Sequence, residues 1–192
     1  MDAGNFLLEL NSSPTSRGGV VSDRPYPNRI DCVWLASDRD GHLGAFITAG
    51  EGPIPAVALK SDYTAVEDIE ALIGEMPTVS ESCLLVSVPR PDDFLELAGR
   101  GVFVYDWTDV NRKAHDARHV YELVARPITP IKVDSLVGEL AVVVSVVKFT
   151  ELGFSDLLHL DVCSHMKCRE SSWTTKSVDD GNMDGNMGPA IY

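Results

Sequence analysis

Positive charge is scarce in this chain of 192 residues. Sixteen Lys and Arg stand against 29 Asp and Glu, leaving a formal net charge of −13 and a pI near 4.6. A surface of that sign repels phosphates, which excludes nucleic acid and an anionic membrane as direct partners. Long apolar runs are also missing. The longest, 140–147, is strand-sized and interrupted by Ser145, so no membrane span is expected. Residues 1–10 have no basic n-region and carry Asp2 and Glu9, unlike a secretory signal peptide. Cysteine is limited to Cys32, Cys83, Cys163 and Cys168. Without an export signal, reduced thiols in the cytoplasm are the expectation. Cys32 and Cys83 each lie in an apolar run and read as buried, inert thiols. The Gly50-Glu51-Gly52 loop lacks the Lys-Ser/Thr of a P-loop and the third glycine of a dinucleotide fingerprint. No Gly-x-Ser-x-Gly elbow occurs, and neither a cofactor nor enzymatic activity is expected.

What the chain has instead is a block of negative charge. Residues 62–109 contain 11 acidic residues and only two basic ones, Arg90 and Arg100, accounting for nine of the thirteen net negative charges. A run of charge is usually a solvated face that aids solubility. So dense a block also destabilises a compact state by self-repulsion, and that favours a second use, the holding of a basic partner.

The local signals describe an α+β fold. Cys32-Val33-Trp34-Leu35 reads as a strand, Asp38-Arg39-Asp40-Gly41 as a tight turn, and 42–48 as the return strand of a β-hairpin. The two glycines and two prolines of 49–55 predict a loop. Thr64-x-x-Glu67 fits a capping box. It opens a helix whose apolar side is Val66, Ile69, Leu72 and Ile73, with Gly74 as its stop. Further strands are expected at 83–88, 102–107, 120–125, 141–149 and 157–162. A short helix opens at Asp92-Asp93, where carboxylates suit the positive end of the helix dipole. The sum is a mainly antiparallel sheet of about six strands with two or three helices packed on it. The expected organisation is an irregular segment over 1–30, one α+β domain over 31–168, and a polar, flexible tail over 169–192 with its Gly-Asn-Met doublet.

Three constellations could carry chemistry. His115-Asp116-Ala117-Arg118-His119 resembles the His-Glu-x-x-His motif of zinc proteases, with a shorter acid. On a helix it would put both histidines on one face, but its place between two strands favours a polar connection. His159, Cys163, His165 and Cys168 are four zinc-type side chains within ten residues, yet not the two separated pairs of a zinc ribbon. No metal is expected at either. Asp106 and Asp109 flank Trp107, an acidic and aromatic cluster that could anchor a partner, although a strand tryptophan is more often core.

Several segments together resemble a group of small bacterial immunity-type proteins encoded beside polymorphic or Rhs-type secreted toxins. They are Cys-Val-Trp-Leu-Ala-Ser-Asp-Arg-Asp-Gly-His-Leu-Gly-Ala-Phe-Ile-Thr-Ala-Gly at 32–50, Gly-Pro-Ile-Pro at 52–55, Arg-Gly-Val-Phe-Val-Tyr-Asp-Trp at 100–107 and Tyr-Glu-Leu-Val-Ala-Arg-Pro at 121–127. The resemblance implies a protein that protects its producer by binding a cognate toxin, and it brings no catalytic residues. With the charge, it gives the expectation of a cytoplasmic toxin inhibitor that occludes a basic, nuclease-type active site with an acidic surface. The expected contacts are Glu67, Asp68, Glu70, Glu75, Asp92, Asp93, Asp106, Trp107 and Asp109, then Asp38, Asp40 and Glu51 on the hairpin loops. The alternatives are a metal-binding module or hydrolase using His115/His119 or the Cys163–Cys168 cluster, and an acidic structural adaptor of a secretion or phage-like assembly.

Overall fold

A computed structural model describes residues 23–60 and 62–171. Most of the expected irregular segment, and the Gly-Asn-Met stretch of the tail, lie outside the described residues. The strands are β1 (Val33–Ser37), β2 (Leu43–Ile47), β3 (Ile54–Pro55), β4 (Ser82–Leu84), β5 (Phe103–Asp106), β6 (Tyr121–Pro127), β7 (His159–Leu160) and β8 (Cys168–Arg169). The helices are α1 (Ile69–Gly74), α2 (Asp92–Gly99) and α3 (Gly138–Val146). The fold is α+β. Its six-stranded sheet has the order β1-β2-β5-β6-β4, with β7 also on β6, and every pairing except β2–β5 is antiparallel. β3 and β8 form a separate two-stranded ribbon. Among the described residues, no helix is long and apolar enough to cross a membrane.

The hairpin forms where the sequence places it. Gly41 takes φ +79° in the turn, a conformation that costs glycine nothing. β1 is buried at all five positions, because both faces of the sheet are covered. On one face Leu35 shares a small cavity with Ile69 of α1 and Val143 of α3. On the other, Trp34, Phe46 and Tyr105 stand in register on β1, β2 and β5 and stack at centroid distances of 4.0 and 4.9 Å. Such aromatic pairs contribute about 0.5–1.5 kcal/mol beyond their burial. Phe154 closes this stack edge-on. The polar ends of the rings are satisfied: Trp34 Nε1 donates to Tyr121 Oη at 3.2 Å, and Tyr121 Oη donates to the Pro53 carbonyl at 3.0 Å.

Several expectations need correction. The β-branched run 141–149 is a helix, α3, through Val146. Its residues are apolar on nearly every side, so no period distinguishes helix from strand, and packing against β1 overrides β propensity. Only the end behaves as a strand: Ser37 N donates to Val147 O, and Phe149 N to Ser37 O. The capping box does not form. Residues Val66–Asp68 make a 3-10 turn with no side-chain cap, and the Thr64 hydroxyl donates to Glu139 of α3 instead. The 49–55 loop ends in β3, which does pair, with β8. The strands expected at 83–88 and 157–162 shorten to Ser82–Leu84 and His159–Leu160, and Leu158 is exposed. Cys32 is buried as expected, whereas Cys83 is half-buried.

Candidate functional site

The parallel pair β2–β5 ends at Ile47 and Asp106, which face each other in register. The hairpin register of β1 and β2 carries Asp31 and Ala49 to the same end. Above this end lie α1 and the start of α2. The result is a cleft of about 330 Å³ lined by Asp31, Glu70, Asp93 and Asp106, with Arg90 as its single base and Cys32, Val33, Ile47, Ala49, Phe94 and Leu97 as its apolar wall. Four carboxylates from four separate segments converge here.

The electrostatics single out Asp106. It is half-buried, and its pKa is pushed up to about 6, first by burial and then by the charge of Asp31; Glu122 adds to this, and the Trp107 backbone amide offsets only part. Asp31 is also raised, by desolvation of its carboxyl, although hydrogen bonds from Ala49, Thr48 and Cys32 hold it back. Neither takes part in an ion pair among the described residues. Two neighbouring carboxylates that pair with neither Arg90 nor another described base disfavour joint ionisation, and a positive group placed between them would relieve it.

The other expected contacts scatter. Glu70 and Asp93 come together with Asp106 in the cleft, but Glu67, Asp68, Glu75 and Asp92 are exposed and do not line it. Glu75 instead borders an apolar groove with Leu72, Met76, Val79 and Val137. Trp107 is 6% exposed and packs edge-on against Tyr121 at 5.2 Å, a core position. Asp38 leaves the surface altogether. Its carboxylate accepts from Asp40 N, His42 N and Phe154 N at 2.8–2.9 Å, which fixes the hairpin turn against the C-terminal segment. Asp40 is exposed beside Arg39, and Glu51 is exposed at the edge of a separate cleft next to Trp107. Asp109 is committed to structure. Its oxygens accept from the Arg118 and His119 amides at 2.7–3.1 Å, and Arg112 pairs with it at 3.1 Å. His119 sits at φ +55°, and those bonds hold it there.

The metal alternatives also change. His115 lies in the 3-10 turn Ala114–Asp116 and His119 lies beyond it in the left-handed region, so no helix face carries both. His159 turns to Glu122 and Arg118, while His165 packs on Phe149. Of the two thiols, Cys163 Sγ reaches Glu170 Oε1 at 3.9 Å and Cys168 Sγ reaches the Met166 carbonyl at 3.6 Å. Among the described residues, the one group with three potential ligand atoms gathered together is Asp38, Asp40 and His42. Asp38 is occupied there as the clamp of the turn.

Sequence reasoning missed Asp31 and Arg90. Asp31 lies outside the acidic block, but the hairpin register alone places it across from residue 49, at the end where β2 finishes. Comparisons with protein-family models, with curated proteins and with solved structures return no match, so the function of this chain has to be argued from its own residues.

Proposed function

We propose that the protein is an immunity-type inhibitor that binds a cognate toxin through the cleft formed by Asp31, Glu70, Asp93 and Asp106. The observation that supports this most is Asp106, a carboxyl that burial and then the charge of Asp31 push up to about 6, in the lining of an acidic cleft. A cavity of about 330 Å³ suits one long side chain, and an arginine or lysine of the partner would supply the missing charge. A nuclease-type toxin presents such groups where it holds phosphates, so seating them in the cleft occludes the toxin's active site. The segments at 32–50, 52–55, 100–107 and 121–127, which resemble immunity-type proteins, build the hairpin, β5 and β6 that frame this end of the sheet.

The test is co-expression with the neighbouring open reading frame, scored for rescue of growth and a stable complex, followed by calorimetry on the purified pair. Replacing Glu70, Asp93 and Asp106 together by their amides should weaken binding by about tenfold or more. Affinity for the partner should rise as pH increases through 6, because Asp106 must be ionised to receive a cation. Full affinity in the triple variant would overturn the assignment of the cleft.

A further inference from the structure

The two tryptophans that pack on Tyr121 differ at their nitrogens. Trp34 Nε1 donates to Tyr121 Oη. Trp107 is only 6% exposed, yet its indole N–H has no hydrogen-bond partner among the described residues. Among those residues, the one side-chain nitrogen or oxygen both sealed from solvent and unpartnered is Arg100 Nε, so the Trp107 N–H reaches solvent. The side chain borders two adjoining clefts that share Glu51 and His119, and it opens there. A buried indole N–H normally finds a partner, so an open one marks a place for an acceptor. One of these clefts, of about 360 Å³, adds Asp161 and Glu170 to Glu51. It shares no lining residue with the cleft of Asp106. Glu51 stands beside Gly52, which packs so closely on the tryptophan that a Cβ there would lie 2.8 Å from Trp107 Cβ. Asp161 Oδ1 accepts from Ser164 N at 3.2 Å, and Glu170 Oε1 faces Cys163 Sγ at 3.9 Å. The Glu51 carboxylate makes no hydrogen bond among the described residues, and none of the three acids joins an ion pair among them. The nearby Arg112 is taken by Asp109 and Glu122.

We propose that this cleft binds the amino terminus of a peptide, its α-ammonium held by Glu51 and Glu170 and its first carbonyl accepting from Trp107 Nε1. The acids call for a cation and the indole for an acceptor. An amino terminus carries both within one residue. A free amino acid is unsuited, because three acids would repel its carboxylate. A lysine or arginine side chain carries its charge at the end of a long stem, far from the nearest carbonyl. About 360 Å³ is small for a ligand cleft, with room for a chain end rather than a length of strand or helix. The donor is also held in place beforehand, since Gly52 and Tyr121 pack against the tryptophan on either side of the opening, which lowers the cost of binding. The site lies apart from the cleft assigned to the toxin and does not rest on that assignment.

The test is a titration of the isotope-labelled full-length protein with alanyl-alaninamide at about pH 6.5, where an α-ammonium is protonated. In the nitrogen–proton correlation spectrum, the indole resonance that Trp107→Phe removes should shift to saturation. Acetylating the amino terminus of the dipeptide should weaken binding about tenfold or more. Acetyl-lysinamide, which offers a side-chain ammonium but no free amino terminus, should bind no better than the acetylated dipeptide. Glu51 and Glu170 are exposed, so the double variant Glu51→Gln/Glu170→Gln should keep the backbone spectrum and also lose about tenfold in affinity. Equal binding of the acetylated dipeptide, tighter binding of acetyl-lysinamide, full affinity in the double variant, or a Trp107 resonance that does not move would each overturn the proposal.

Discussion

Asp106 and Asp109 stand three residues apart on either side of a buried tryptophan, and the fold treats them in opposite ways. Asp109 is surrounded by donors. The amides of Arg118 and His119 and the guanidinium of Arg112 lower its pKa, although burial works against them. Arg112 forks across both oxygens of Glu122 at 2.8 and 2.9 Å, and Arg118 joins at 2.7 Å, so Glu122 is lowered as well. Asp106 is desolvated by burial and neighbours other acids, and is raised to about 6. Negative charge in one sequence neighbourhood therefore meets two fates: where donors and cations surround it, it fastens a loop; where burial and other acids do, its ionisation is held back.

The contrast can be broken from either side. The largest effect is expected from Asp109→Ala. It removes the acceptor of two amides and one of the two carboxylates that hold Arg112, and should cost about 2–3 kcal/mol in urea denaturation, because several bonds to a charged group are lost at once. A double-mutant cycle with Arg112→Ala should recover a coupling of about 1 kcal/mol or more. Next comes Gly52→Ala, which strikes the wall between the two acids. A Cβ there would lie 2.6 Å from Tyr121 Oη and 2.8 Å from Trp107 Cβ, and overpacking of that kind costs about 1–3 kcal/mol.

Asp106→Asn should act in the other direction. The folded pKa of Asp106 lies above its ordinary value of 3.8, so its penalty is absent in acid, grows as the pH rises towards 6 and is complete above that. The amide should stabilise the protein by about 1–2 kcal/mol near pH 7.5, after allowance for solvent screening, and by little near pH 4. Asp109→Asn carries the opposite sign, since a lowered pKa gives stability that is present above 3.8 and lost in stronger acid. Glu67→Gln is the smallest change. An exposed residue of the 3-10 turn before α1, outside the cleft, should shift stability by no more than about 0.5 kcal/mol and leave partner binding unaltered.

Much of the frame was legible because its signals are local. Asp-Gly marks the hairpin turn, Asp92-Asp93 the start of α2, and alternation or apolar runs mark β1, β2, β5 and β6. The helix α3 was illegible because its valines occupy exposed as well as buried positions, Val142 outside and Val143 and Val144 inside, so no polar stripe reveals its period. Charge density pointed to Glu70, Asp93 and Asp106, but density does not say which acids converge. That depends on the β2–β5 pairing between strands remote in sequence, which no local motif announces. The commitment of Asp38 and Asp109 to backbone amides was equally hidden, since their donors Phe154 and His119 lie outside the motifs that contain the acids.

The one parallel pairing of the sheet also has a kinetic meaning. A hairpin such as β1–β2 closes over a short turn, while β2–β5 closes only after the chain has travelled through β3, α1, β4 and α2. Loop-closure entropy places such a contact late in folding. Asp106→Asn and Val104→Ala on β5 should then alter unfolding rates far more than folding rates, and the reverse would place this pairing in the folding nucleus. A chain caught with its hairpin made and its crossover open would have no cleft to offer, so binding through that cleft would double as a check that the protein has finished folding.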